Sequence, residues 1–352
     1  MTYKKKYQRK DFDKKEDRDY QQELTNKFIL RIEEALSCEE HGLKWDKPFF
    51  SCNDWPKNAL TGEKYHGGNV AALMVEEFSD PRWMTFVQMQ ELSKKMDTPL
   101  NVKKGSKASF IMKVVPAYLK DSEGNISKND EGKAMPILDD NGNPKIGFKW
   151  YPVFNASQVE GMPVYIQATK EIKPIEEVEL LSLALQERTD LKVEHSGVSR
   201  AYYSSSRHLV HMPEPSLFKS SEAYADTLLH EFGHSTGPAM GRKMGNAVGT
   251  PDYAKEELVA ELTSSFMAVE LGIPHNPSSH ENHAAYLKSW LSALKDDKTL
   301  ITKAANQASK ATEFQMEHLN AYKLVQELKA EQAQEMVDSA IAKAKKPAAI
   351  SM

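Results

Sequence analysis

His230, Glu231 and His234 are the residues whose types and spacing name a chemistry. They stand in Leu228-Leu229-His230-Glu231-Phe232-Gly233-His234, a complete His-Glu-x-x-His pattern. On a helix, positions i and i+4 lie one turn apart on one face, so both imidazoles can bind a single metal ion. The glutamate between them then points towards the open coordination position, where it can take a proton from metal-bound water. Hydrolysis is the chemistry such a set performs. The short pattern recurs by chance, so the weight falls on its surroundings.

A second helix must supply the rest of the site. Thr250 reads as its N-cap, Pro251 fits the first helical position, and Gly272 with Pro274 supplies the stop. Leu258, Leu262, Phe266 and Val269 recur at helical spacing and give it a buried side. Its segment Glu257-Leu258-Val259-Ala260-Glu261 resembles the third-ligand helix of the glutamate-type zincins. That resemblance implies Glu257 as third ligand and Glu261, one turn on, as the carboxylate behind a ligand histidine. Glu256 points about 100° away from Glu257 and ranks below it.

Three protein ligands with one open position form a catalytic rather than a structural zinc arrangement. Another divalent cation such as Mn2+ is an alternative occupant. Two histidines and a carboxylate also make an iron facial triad, but the helical spacing favours zinc. On a peptidase reading, Glu231 accepts a proton from a water acidified to a pKa of about 7 and passes it to the leaving amine. Tyr202 or Tyr203 is a candidate oxyanion partner, and the sequence leaves that choice open. His195, His208, His211, His275, His280 and His283 read as surface or core residues.

The chain has 352 residues, 40% of them hydrophobic and 27% charged, which suits two globular domains. No apolar run approaches the roughly 18–20 residues of a membrane span, so no membrane partner is expected. The basic start Met1-Thr2-Tyr3-Lys4-Lys5-Lys6 leads into charged residues, unlike a secretory signal. Cys38 and Cys52 make neither a disulfide framework nor a thiolate zinc site, so a reducing cytoplasm is the simplest home. The net charge of −4 is uneven, with 22 Lys+Arg against 18 Asp+Glu in residues 1–120. Within 93–120, seven lysines (Lys94, Lys95, Lys103, Lys104, Lys107, Lys113 and Lys120) face one acid, Asp97. Such a basic ribbon is an electrostatic footprint for a polyanion.

The chain up to residue 19 is polar and expected to be disordered. Residues 21–37 predict an amphipathic helix carrying Leu24, Phe28, Ile32 and Leu36. Residues 44–69 are rich in turn residues and aromatics. Further helices are predicted over 69–78 and from Trp83-Met84-Thr85-Phe86 to about Lys95. Val102–Val115 predicts a strand hairpin around Lys104-Gly105. Three turn clusters mark 119–147 as an exposed insertion. Asp139-Asp140-Asn141-Gly142 is a turn rather than a calcium loop, because the terminal glutamate is missing. Trp150–Asn155 predicts a strand. Arg200–Tyr203 and Arg207–Met212 predict paired strands, and 278–346, which lacks Gly and Pro, predicts helix. No internal repeat is evident.

Several stretches together carry a wider resemblance. They are Trp45-Asp46-Lys47-Pro48-Phe49, Asn58–Asn69, Trp83–Phe86, Val102–Gly105, Val153–Gln158, Ala201-Tyr202-Tyr203, His230–Gly237 and Tyr253–Glu261. In these the chain resembles the ArdC-type antirestriction proteins of plasmids and phages over roughly residues 20–315. The resemblance implies an α+β chain of two domains: a mixed α/β single-stranded-DNA-binding domain over 20–160 and a zincin-like metallopeptidase domain over 181–315. Residues 1–19 would precede them, 161–180 would link them, and 316–352 would form a helical tail. It further implies protection of incoming DNA. After Thr236-Gly237, where the family usually continues with a histidine and a regularly placed arginine, this chain has Pro238-Ala239-Met240-Gly241-Arg242 instead.

Single-stranded DNA binding needs cations along a groove and aromatic faces for bases. Candidates are Trp45, Tyr65, Trp83 and Phe86 for stacking, with Arg82, Lys103, Lys104 and Lys107 as cations. Asn58, Thr61 and the Gly67-Gly68 pair would form a loop able to approach phosphates. Two rival readings remain: a non-enzymatic DNA-coating protein with a structural zincin module, and a replication or primase accessory.

Overall fold

The computed structural model describes residues 19–40, 54–76, 78–140, 142–166, 174–198, 200–218, 220–247, 250–273 and 283–344. The disorder expected of residues 1–19 therefore lies outside the described residues, Asp19 apart. Helix α1 (Tyr20–Glu40) buries Leu24, Phe28, Ile32 and Leu36, the predicted spacing-four stripe. Next come β1 (Lys57–Asn58), α2 (Gly68–Met74), β2 (Arg82–Met84), α3 (Phe86–Lys95) and β3 (Asn101–Val102). Then follow β4 (Ser109–Pro116), β5 (Ile146–Asn155) and β6 (Val159–Glu160). The four-stranded sheet runs β1-β2-β5-β4, antiparallel except for β1 beside β2.

Two local expectations are corrected here. Trp83 and Met84 do not open a helix; they belong to β2, and α3 starts at Phe86. Thr85 sets that start, because Gln88 N donates to its Oγ1 at 3.2 Å and Thr85 N donates back to Gln88 Oε1 at 2.9 Å. The hairpin expected over 102–115 also does not form. The chain does turn there, with Gly105 at φ 88 and Ser106 N donating to Lys103 O. Yet β3 pairs with β6, and β4 pairs along its whole length with β5. A long in-register ladder with β5 outweighs what two residues of β3 could offer β4.

Between β4 and β5 the 119–147 stretch repeats one device three times, a repeat the sequence reading passed over. Asp121, Asn129 and Asp139 each accept, through Oδ1, the N–H four residues on, at 2.9 Å. Gly124, Gly132 and Gly142 follow three residues after each, all with positive φ. Short polar side chains that bond their own turn and a left-handed glycine together close a tight loop.

The second half comprises α4 (Pro174–Arg188), β7 (Lys192–Ser196), β8 (Tyr202–Ser204), β9 (Leu209–Pro213) and α5 (Ser221–Ser235). It continues with α6 (Pro251–Leu271), α7 (His283–Asp296) and α8 (Leu300–Ala344). Its sheet runs β7-β9-β8, with β9 antiparallel to β8 and parallel to β7. Helix α4 occupies part of the stretch expected to be linker, and α8 runs without a break past residue 316.

One hydrophobic cluster spans both halves, joining Leu24, Phe28, Val70 and Met74 to Leu258, Phe266, Trp290 and Ile301. Gly67 and Gly68 pack directly against α8 beside that cluster. Their N–H groups donate to Ser309 Oγ (3.1 Å) and Asn306 Oδ1 (2.7 Å) of α8. A Cβ on Gly67 would sit 2.2 Å from Asn306 Oδ1, and one on Gly68 2.7 Å from Thr302 Cγ2. These glycines therefore admit α8, not a phosphate, which corrects the expectation for this loop. No helix among the described residues is long and apolar enough to cross a membrane.

Candidate metal centre

Helix α5 begins at Ser220, whose Oγ accepts from Ala223 N at 3.2 Å. Leu228, Leu229 and Phe232 lock it into a second core with Leu181, Leu185, Met212 and Met267. That fixes the opposite face, where the His230 and His234 rings lie 4.8 Å apart in a T-shaped arrangement. Helix α6 starts under Thr250, whose Oγ1 accepts from Tyr253 N, and ends at the left-handed Gly272. Gly233 lets the two helices touch: a Cβ there would stand 2.9 Å from both Cα and O of Ala260. The glycine of one motif and the alanine of the other are thus one contact, and it delivers the carboxylates of α6 to the histidines.

Glu257 faces both Nε2 atoms. Its Oε2 lies 3.3 Å from that of His230 and its Oε1 3.6 Å from that of His234. Two ligands on one tetrahedral zinc, each at about 2.05 Å, stand about 3.3 Å apart. One ligand atom from each of the three residues falls within 4.8 Å of the others. Glu257 Oε2 is buried and accepts no hydrogen bond among the described residues, as suits an oxygen reserved for a cation. The donor set therefore fits a divalent cation, and His230, His234 and Glu257 are residues that could hold one.

Behind each imidazole stands a further carboxylate. Glu261 Oε2 lies 3.3 Å from His230 Nδ1, and Glu256 Oε1 lies 3.1 Å from His234 Nδ1. Glu256 faces away from Glu257 on the helix and still meets the site, because the His234 ring offers it the second nitrogen. Burial is the largest influence on each titrating group, and it opposes charge. For Glu257 the two histidines outweigh it and hold the carboxyl far below its usual range. For His234 it is outweighed by Glu257 and Glu256, and the imidazole rises to about 9. His230 likewise rises well above its usual value, through Glu257 and Glu261. Glu231 goes the other way: burial pushes its carboxyl up, against the pull of His234 and His230.

Tyr203 of β8 donates its backbone N–H to Glu231. Its phenol lies 2.7 Å from His208 Nδ1 and is pushed up to about 12, by burial first, with Arg242 and Glu256 near enough to act on it. Tyr202 is engaged elsewhere, stacked 5.0 Å from His211 and accepting from Arg207 Nη2. His195 and His211 are bound to Tyr224 and to Ser196 and Arg200. His275 and His280, and the side chain of His283, lie outside the described residues.

With that geometry in place, the chain matches two family models. Residues 18–154 match the N-terminal domain of the anti-restriction factor ArdC, and 182–307 match a zincin-like metallopeptidase family. The first half thus carries the ArdC N-terminal domain and the second a zincin-like metallopeptidase domain.

The ArdC protein of the R388 plasmid, in its metal-free crystal structure, is 28% identical with a TM-score of 0.62, over 86% of this chain and 99% of that one. Its Mn(II)-bound structure is 29% identical with a TM-score of 0.59, over 86% and 98%. Among curated proteins, an Escherichia coli protein named DNA primase TraC is 34% identical over 283 residues, 77% of this chain and 25% of its own length. An uncharacterised Sinorhizobium fredii protein, y4eC, is 28% identical over 84% of this chain and 91% of its own length. The chain thus spans about a quarter or less of the TraC primases it matches. The zincin-like match makes zinc the expected cation of this site, with manganese as the alternative.

The candidate DNA contacts in the ArdC-like half fare unevenly. Trp45 lies outside the described residues. Trp83 is a core residue, 1% exposed and packed edge-on against Phe78, so its face is not offered to a base. Arg82 is bound through Nε and Nη2 to Asp80 and through Nη2 to Pro163 O, which takes up its charge. Asn58 accepts from Leu60 N and Thr61 N, closing a turn. The phenol oxygen of Tyr65 is buried. Lys103, Lys104 and Lys107 are exposed, Lys103 reaching Ser157 O at 2.7 Å.

Proposed function

We propose that this chain is a metal-dependent peptidase that also binds single-stranded DNA and protects incoming plasmid or phage DNA in the cytoplasm. The observation that carries the hydrolytic part is the buried Glu231 set beside an open three-ligand site. A cation held by His230, His234 and Glu257 supplies Lewis acidity and an acidified water. Glu256 and Glu261 serve the imidazoles from behind, so Glu231 is the carboxylate left to hold and return the proton. Its burial beside the two histidines suits that task, since a base must hold the proton close to the site and give it to the leaving amine. Strand β8 is the sheet edge beside α5, and an extended peptide added along it would pass the site. Glu231→Gln is expected to retain the cation and lose peptide cleavage. Cleavage at the wild-type rate would remove Glu231 from its role.

The DNA-binding part is supported by Lys103, Lys104 and Lys107 on the turn between β3 and β4, and by Phe86, 52% exposed at the start of α3. Strand β5 lies between β2, which leads to Phe86, and β4, which follows Lys107. Two strand spacings place those segments roughly 10 Å apart, a distance one strand of nucleic acid can bridge. The TraC relatives, named as primases, favour a second reading as a replication accessory. A coating or accessory role predicts that Glu231→Gln leaves DNA protection intact while reversing the three lysine charges removes it.

A further inference from the structure

We propose that Arg242 is a positioning residue for the cation site, fixing His234 through Glu256. This rests on the cation site and not on which bond the site cleaves. The chain leaves α5 at Ser235 and folds straight back, with Arg242 N donating to Gly237 O at 2.9 Å and Gly241 at φ 67. A Cβ on Gly237 would lie 2.3 Å from Met244 Sδ, so the turn is closely packed. It places the guanidinium, 4% exposed, between the end of α5 and the start of α6.

There Nε donates to Glu256 Oε2 and Nη2 to Glu256 Oε1, both at 3.0 Å. Nη2 also donates to Gly233 O at 2.7 Å, and Nη1 to Thr236 Oγ1 at 2.9 Å. A forked guanidinium fixes the plane of the carboxylate it grips. Glu256, so held, meets His234 Nδ1 at 3.1 Å. An acceptor at Nδ1 keeps the proton there and leaves Nε2 as the ligand atom, which sets both tautomer and ring orientation. The same guanidinium bonds a last-turn carbonyl of α5, where positive charge is favourable. The helix that bears both histidines and the helix that bears Glu257 are therefore tied together at one point.

The test uses the full-length protein and four variants: Arg242→Met, Arg242→Lys, Glu256→Gln, and Arg242→Met with Glu256→Gln. Zn2+ affinity is read by competition with a chromophoric chelator, the site geometry by the absorption spectrum of the Co2+ form, and folding by thermal melting. Arg242→Met and Glu256→Gln are each expected to weaken Zn2+ binding about 10–100-fold and to alter the Co2+ spectrum. The double variant should bind no more weakly than the weaker single, since both act along one path. Arg242→Lys should fall between wild type and Arg242→Met. Zn2+ affinity within about twofold of wild type and an unchanged spectrum in Arg242→Met, with only the melting temperature lowered, would reduce Arg242 to a helix cap and overturn the proposal. Should Arg242→Met not fold, the isosteric Glu256→Gln decides by the same readings. A wild type that takes up no cation removes the site and the proposal with it, an outcome visible before any variant is made.

Discussion

The α5–α6 site and the aromatic, basic stretch of the first half both offer suggestive residue types, but only one of them converges when folded. His230 and His234 need nothing beyond one turn of helix to share a face. The candidates between Asn58 and Trp83 depended on what their neighbours took from them. Asp80 claims Arg82, the backbone of the 58–61 turn claims Asn58, and the sheet claims Trp83. Residue type shows what a side chain could do; only local spacing shows, before folding, that it will be free to do it.

Replacing Trp83 should give the largest effect and cut that contrast most sharply. Trp83→Ala is expected to cost about 3–5 kcal/mol in denaturant unfolding while leaving the DNA affinity of the folded protein unchanged. Loss of affinity at full stability would restore Trp83 as a stacking platform. Next is Gly233→Ala, which pushes a methyl group against the backbone of Ala260. Overpacking of that kind costs about 1–3 kcal/mol, and by moving α6 it should also weaken cation binding, measured by chelator competition. Charge reversal at Lys103, Lys104 and Lys107 should leave the melting temperature in place. Loss of three phosphate contacts on a single strand makes the log–log salt dependence of binding shallower by about 2. An unchanged slope would put the DNA surface elsewhere.

The smallest effect is a pH dependence at the start of α8, the helix that meets both regions. Asp297 accepts from Thr299 N, Thr299 Oγ1 and Lys303 Nζ, and its carboxyl is lowered to about 2, the Thr299 side chain being the chief cause. A lowered folded-state value means stability present above the unfolded value of 3.8 and lost as pH falls towards 2. Asp297→Asn should therefore flatten the stability profile between about pH 4 and pH 2, by less than about 1 kcal/mol because the group is partly open to solvent.

How much could be read in advance follows the same division. The stripe of α1, the caps of α6, the β8–β9 pairing and the helical end of the chain all depend on patterns within a few residues. The partner of β4 lies more than thirty residues further along, past the insertion, and no local pattern distinguishes β5 from β3 as its mate. Glu256 is the instructive case at the site. Helix geometry gives its angle from Glu257, but the His234 ring presents two nitrogens, and a carboxylate turned away from one can meet the other. Gly233 and Ala260 held a signal that went unused: two small residues, one in each motif, mark where helices come closest.

The cluster of Leu24, Phe28, Val70 and Met74 with Leu258, Phe266, Trp290 and Ile301 has a mechanical consequence. Severing the backbone between the halves would not release them; the two pieces would stay clasped, with Asn306 and Ser309 as the buckle. A molecule joined in this way transmits a tug on one end to the other through its middle, not through its thread.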